Sequence, residues 1–361
     1  MTGFRKIQGI LLALCILLLV LYLLDSGNPS QSMYRFLPWY DFLHEELQKT
    51  AIAKDAVTTE RIIQKNGIYL REKVREENEQ ALLEQEETEE EIEDAMAATA
   101  GKEFFSSARL LDQSYILEQF FIVDSRAYVK EDLIDAEKFL SQDLSLKIQM
   151  EGPQILIYHS HSQENFCDSK AGKVEDTIVG VGAYLAELLT EAYGYQVVHL
   201  KEAFDLVDGK LDRSRAYDQA RTYLKDYLKQ HPTIQVMIDL HRDGVSEGRH
   251  LVTTIHGKPT AQIMFYNGLS HTVDYGVVDY LPNPYIEENL AFSFQLEYQA
   301  AQSYPGFDRG IYLAGLRYNL DFMPRSLLLE AGAQTNTVQE VKNAMEPFAD
   351  ILNRVLKGGD K

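Results

Sequence analysis

The chain has 361 residues, with 55 acidic against 35 basic side chains and a formal net charge of −20. Its length suffices for one globular domain with a sizeable core plus appendages, while its charge excludes a nucleic-acid-binding surface, which needs clustered Lys and Arg to neutralise phosphates. Only two cysteines occur, Cys15 in an apolar N-terminal stretch and Cys167 far from it, so no disulfide framework holds the fold.

Gly9 to Leu24 is an uncharged apolar run behind Arg5 and Lys6 and ahead of Asp25. As a helix it covers about 24 Å, slightly short of a hydrocarbon core, and flanking residues extend it. The basic flank favours an N-terminus left in the cytoplasm. A cleaved signal peptide shares the charged start and apolar middle, but Asp25 to Pro29 holds no Ala-x-Ala pattern, which favours an uncleaved single-pass anchor over residues 1–25. Either reading places the remainder outside the cytoplasm. Residues 26–107 then turn polar and acidic, most densely from Glu76 to Asp94. Glutamate favours helix, yet so many like charges repel and bury no core, so the segment reads as an extended or weakly helical stalk.

The main domain is expected over residues 108–361, with its core at 150–357. Phe120 to Val123 resembles a short strand and Leu133 to Leu140 a helix, both packing beside that core. Ile155 to Tyr158 has the length and Ile content of a strand buried on both faces. Thr177 to Tyr193 has apolar positions at helical spacing and stops at Gly194. Gln196 to Leu200 reads as a strand, Ser214 to Gln230 as an amphipathic helix ended by His231 and Pro232, and Ile234 to Leu240 as the next strand. This alternation predicts an α/β fold, a mostly parallel twisted sheet with helices on both faces. His250 to Ile255 and Ala261 to Tyr266 suggest a hairpin around His256 to Thr260, adding antiparallel strands at an edge. Ala291 to Tyr304 forms another helix, Ile311 to Leu316 a strand and Ser326 to Leu329 a strand. Thr337 with Glu340 makes a capping-box pattern for a helix running to about Leu356.

Three of these apolar runs end on residues suited to metal binding or proton transfer. The first leads into His159, Ser160, His161, Ser162, Gln163 and Glu164; the second into His241, Arg242 and Asp243; the third into Glu330. In open α/β sheets, sites form beyond the carboxyl ends of strands, so segments distant in sequence converge there. The spacing His161-x-x-Glu164 can place an imidazole and a carboxylate around one cation. Two histidines and one glutamate form a recurring zinc hydrolase set that leaves a position open for water. Each piece alone is a weak pattern, and its force comes from the three together. His159 and His161 alternate onto one face, so the residues alone leave either as the ligand. His250, His256 and His271 lie in loop or hairpin sequence and receive no role.

The blocks YHSHSQENF, IDLHRDGV and MPRSLLLEAGAQTNTVQE resemble the signature blocks of the stage II sporulation protein P family, peptidoglycan amidases of spore-forming Firmicutes related to zinc-dependent N-acetylmuramoyl-L-alanine amidases. The resemblance runs from about Phe120 to the C-terminus, and an N-terminal anchor is also what that family carries. It implies one zinc ion per chain, cleavage between muramic acid and L-alanine, and cross-link cleavage in some members. It further implies work in septal thinning and engulfment of the forespore at the cell membrane, with stage II sporulation proteins D and M as partners. Family members commonly have threonine where this chain has Ser160 and Ser162, a departure that keeps the hydroxyl. The His-x-x-Glu spacing, which repeats that of zinc carboxypeptidases, favours His161 as ligand beside Glu164 and His241, leaving His159 as an alternative ligand or a supporting residue. Glu330 is then the catalytic base. Arg242 and Arg325 either bind an acidic group of the substrate or form structural ion pairs, with Asp243 or Asp321 as partners. Two other functions fit less well. A non-catalytic membrane-anchored scaffold normally lacks a ligand or the base, and a zinc carboxypeptidase is disfavoured by the anchor and the His-Arg-Asp block.

Overall fold

Seven strands build the central sheet of the computed structural model: β1 (Phe121–Val123), β2 (Ile155–Tyr158), β3 (Val197–His199), β4 (Val236–Asp243), β5 (Ile263–Gly268), β6 (Asp308–Ala314) and β7 (Ser326–Ala333), in the order β1-β6-β5-β7-β4-β2-β3. The structure describes residues 112–130, 132–146 and 151–358. The expected anchor and acidic stalk lie outside the described residues. No helix among the described residues is long and apolar enough to cross a membrane.

Every neighbouring pair in this sheet is parallel except β5 with β7, which are antiparallel. The sheet is therefore two parallel blocks joined at one seam. The alternation of side chains along strands gives the two faces different cover. On one face, Ile155 and Ile157 of β2, Val236, Ile238 and Leu240 of β4, and Leu327 and Leu329 of β7 share a core with five helices. These are α1 (Gln113–Phe120), α2 (Ala136–Ser141), α3 (Ile178–Glu191), α5 (Ile286–Ser303) and α6 (Val338–Leu356). Among the described residues the other face has one helix, α4 (Ala216–Gln230), whose Ala220 and Leu224 pack on Leu156, Tyr158 and Met237. Beside it, Met264, Tyr266 and Leu328 lie under Tyr318 and Leu320 of the loop between β6 and β7. Helices of the described residues thus flank both faces, five against one.

Three expectations shift. The strands carrying His241 and Glu330 do not stop before these residues; β4 and β7 continue through them, and Glu330 pairs in register with His241. The predicted hairpin is instead a separate ribbon of Val252–Ile255 with Lys258–Ala261, closed by His256 and Gly257. Both turn residues have positive φ, 50° and 76°, the backbone that a two-residue hairpin turn needs to match strand twist. The following apolar run becomes β5 in the middle of the sheet, not at an edge. The helix expected from Ala291 starts earlier, at Ile286, with Glu287 and Glu288 in its first turn, where acidic side chains meet the positive end of the helix dipole. Thr337 caps α6 as the sequence pattern indicates, with Glu340 completing the box.

One close approach fixes how α3 sits on the sheet. A Cβ on Gly182 would lie 2.7 Å from His159 Nε2 and 2.9 Å from His199 Nε2, so only glycine lets the helix seat against this imidazole pair. Gly182→Ala should destabilise the fold by about 1–3 kcal/mol, the usual cost of overpacking a core. Urea unfolding checks this, and an unchanged midpoint would contradict the packing described.

Candidate active site

Polar residues gather on the one-helix face of the sheet, where β2 ends and β4 and β7 run side by side. The loop after β2 enters between two buried aspartates. Asp239, on β4, accepts hydrogen bonds from the Ser160 amide and the Ser160 hydroxyl, each at 2.8 Å. Asp205 accepts from the Ser162 hydroxyl at 2.6 Å and from the Gln163 amide at 2.9 Å. The two serine hydroxyls thus hold the loop, which explains why a Ser-for-Thr exchange there keeps the needed group. At the loop's far side the Ile178 amide, in the first turn of α3, donates to the Glu164 carbonyl at 3.1 Å.

So held, the loop brings His161 and Glu164 against His241; one ligand atom from each lies within 4.8 Å of the others. His161 Nδ1 is 3.5 Å and His241 Nδ1 is 3.7 Å from the same oxygen, Glu164 Oε1. The other carboxylate oxygen, Oε2, accepts the Arg242 amide at 2.9 Å. His241 Nε2 is 2.9 Å from Asp239 Oδ1 and 2.9 Å from the Ser160 hydroxyl, which orients the ring with Nδ1 toward Glu164. His161 Nε2 is buried and has no hydrogen-bond partner among the described residues.

These features fit a zinc ion. A tetrahedral zinc with bonds of about 2.0–2.1 Å sets its ligand atoms roughly 3.4 Å apart, close to the two spacings found. The donors are two imidazoles and one carboxylate. A carboxylate behind a ligating histidine, as Asp239 stands behind His241, is the usual support that fixes ring and tautomer. In the absence of a cation, burial opposes charge on His241, but Asp239 and Glu164 outweigh it and hold its pKa well above the usual value. Burial likewise opposes charge on Glu164, yet His241 and His161 keep its pKa well below the ordinary carboxylate range. A proton on His241 thus sits between two carboxylates, in a place suited to a metal cation.

Glu330 stands beside His241 on the adjacent strand and points to the same face, since partners in a parallel register share it. Its Oε2 is buried without a partner among the described residues. Burial, with added repulsion from Asp243 and Glu164, pushes its pKa well above the usual carboxylate value, although His241 and Arg309 oppose this.

Other expected site residues lie elsewhere. His159 turns to the five-helix face, where Nδ1 contacts the Leu240 carbonyl at 2.7 Å and Nε2 contacts His199 Nε2 at 2.8 Å. It is therefore not beside Glu164; the chain leaves β2 at Tyr158, so strict strand alternation no longer places His159 and His161 together. Arg325 precedes β7 and donates to the Gln235 carbonyl. Five residues of strand, about 16 Å, separate it from Glu330, so it lies at the opposite end of the sheet. Arg242 is near the site, but its guanidinium donates to the Asn165 and Asp243 carbonyls. The ion pairs expected for these arginines form with others: Asp243 pairs with Arg309, and Asp321 takes Arg221 through both oxygens.

Sequence reasoning missed Asp239, Asp205, Arg309 and Tyr217. The Tyr217 ring, on α4, lies edge-on to His161 at 5.4 Å and stacks on His241 at 6.4 Å. Its pKa is raised well above the usual value by burial and by Asp239, so the hydroxyl keeps its proton. One available signal was Asp239-x-His241, which strand alternation puts on one face.

The raised pKa of Glu330 has a thermodynamic consequence. The folded chain holds a proton there that the unfolded chain releases, so this contribution favours folding below the ordinary carboxylate pKa and is lost as pH rises through the raised value. In chelator-treated protein, Glu330→Gln should therefore raise Tm at about pH 8, by roughly 1–3 kcal/mol in stability, with the gain fading toward about pH 4. Equal Tm shifts at both pH values would contradict the burial assigned to this carboxylate.

The chain matches the stage II sporulation protein P family over residues 29–353. The stage II sporulation protein P of Bacillus subtilis (strain 168) is 25% identical over 221 residues, 57% of this chain and 52% of that protein. The chain thus spans about half the length of that relative. Among solved structures, similarity is found to the N-acetylmuramoyl-L-alanine amidase AmiC2 of Nostoc punctiforme (TM-score 0.32, 16% identity, 57% of this chain and 96% of that chain). It is also found to the CwlD amidase of Clostridioides difficile in complex with the GerS lipoprotein (TM-score 0.36, 10% identity, 57% and 99%). Likeness at these levels says nothing of chemistry. The family match, which covers most of the sequence, is the finding that identifies the chain: it belongs to the stage II sporulation protein P family.

Proposed function

We propose that this chain is a peptidoglycan hydrolase of sporulation, a zinc-dependent N-acetylmuramoyl-L-alanine amidase that cuts between N-acetylmuramic acid and L-alanine. The observation that carries the reading is the convergence of His161, Glu164 and His241 with Glu330 in register beside His241. Family membership supports the peptidoglycan substrate and the link to sporulation.

His161, Glu164 and His241 would hold the ion. The chemistry zinc supplies, when bound, is polarisation of the scissile carbonyl and acidification of water. The remaining tasks belong to the protein. Glu330, in its ionised form, takes the proton of the attacking water on its carboxylate and delivers it to the leaving amine; burial raises its pKa and favours the protonated form that the second half needs, while Arg309 opposes that shift and favours the ionised form from which the transfer starts. Asp239 keeps His241 oriented, and Arg309, paired with Asp243, offsets negative charge near Glu330. Tyr217 covers both histidine rings and limits the water that reaches them.

In the same reading, residues 9–24 anchor the chain as a single-pass membrane protein with the domain outside the cytoplasm. It acts in septal thinning and engulfment with stage II sporulation proteins D and M. These parts rest on the N-terminal sequence and on the family resemblance.

Glu330→Gln should keep zinc and fold but lower stem-peptide release from purified peptidoglycan at least about 100-fold, read by mass spectrometry of the digest. Undiminished release would remove Glu330 from the mechanism. His241→Ala should lose zinc, read by elemental analysis, and full occupancy in that variant would overturn the ligand set. A zinc-loaded wild-type chain that binds peptidoglycan without freeing peptides would favour the scaffold.

A further inference from the structure

A cavity of about 520 Å³ opens beside the loop that carries Glu164. Its wall includes Gln163 and Asn165, the neighbours of Glu164 on either side, and consecutive Cα atoms are only about 3.8 Å apart. The cavity therefore runs along the loop that carries Glu164, while His161, Glu164, His241 and Glu330 themselves lie outside its wall. Its volume falls in the range of small-molecule and peptide subsites, about 300–1,000 Å³.

The charge of the lining sets it apart from the rest of the chain. Acidic residues outnumber basic ones 55 to 35 overall, yet this wall holds Lys170, Lys173 and Lys201 and no acidic side chain. Neither Lys170 nor Lys201 makes an ion pair with a described residue. Lys173 lies 4.0 Å from Glu175, and both side chains are exposed there, so that pair holds the lysine weakly. The nearby Asp205 carboxylate is already engaged by Ser162 and Gln163. Phe166, in the same wall, adds an apolar surface. Lone surface lysines are ordinarily just solvated, but three around one concave site, opposed only by the exposed and loosely held Glu175, create a local positive potential that an anionic ligand can use.

We infer that this cavity is the subsite for a free carboxylate of the stem peptide, bound by Lys170, Lys173 and Lys201 while the scissile amide lies at the neighbouring histidines. The inference rests on the amidase reading and adds a substrate preference to it: stems with free carboxylates over stems with amidated ones. It also moves carboxylate recognition from Arg242 and Arg325, whose guanidinium groups donate to main-chain carbonyls, to three lysines.

The test is calorimetric binding of two probes to the full chain, a stem tetrapeptide with free carboxylates and the same peptide amidated. Wild type should bind the free form more tightly. Replacing all three lysines by glutamine should weaken that form by about tenfold, the sum of several modest exposed ion pairs, and leave the amidated form unchanged. The preference should also shrink as salt is raised. Equal affinity of wild type for both probes, or a preference that survives the triple substitution, would overturn the inference. Inorganic phosphate that competes as strongly as the free peptide would also overturn it, by marking a general anion site. Binding is read apart from cleavage. A chain that prefers the free peptide but cuts nothing fails the amidase reading alone, and one that cuts without the preference fails this inference alone.

Discussion

The buried carboxylate of Asp239 is the point on which the site depends. It has no exposure to solvent, and burial alone would raise its pKa; His241 and the two Ser160 groups overcome that and keep it ionised. One side chain therefore ties the loop after β2 to the middle of β4 and at the same time orients His241. Without it the Ser160 amide would lose its partner, and the Ser160 hydroxyl and His241 Nε2 would keep only each other; a group left unsatisfied in a core costs about 1–3 kcal/mol. Stability and site geometry are thus coupled through the same hydrogen bonds.

The sheet supplies the second constraint. Because β7 lies between parallel β4 and antiparallel β5, it is central and its register is held from both sides, which pins Glu330 opposite His241 and Met264. A slip of one residue would send Glu330 to the apolar five-helix face. The uneven cover follows the same logic: the face with five helices builds the core, while the face with one helix leaves room for polar side chains beside Tyr217.

Much of this was legible in the sequence, for identifiable reasons. His161, Glu164, His241 and Glu330 stood out because each comes after an apolar run and belongs to a residue type with metal or proton chemistry. Parallel topology then brought them together. The residues that support them were harder to see. Asp239 sits inside an apolar strand and Asp205 follows a short loop, and their importance arises only from partners 79 and 43 residues away. Tyr217 and Arg309 reach the site from α4 and β6 through packing that no local pattern encodes. Arg325 misled because a position close to Glu330 in sequence becomes distant along an extended strand. His159 misled because alternation was carried past the end of β2. The two-residue turn at His256 and Gly257 was blurred by neighbouring Lys258 and Pro259, which belong to the returning strand.

The most direct measurement is the position of zinc itself, from anomalous diffraction at the zinc edge on crystals of the zinc-loaded protein. The proposed zinc amidase predicts one ion per chain, bonded to His161, Glu164 and His241 at about 2.0–2.1 Å, with one position left to solvent. Zinc between His159 and His199 instead, or a fourth protein ligand closing the coordination sphere, would contradict it.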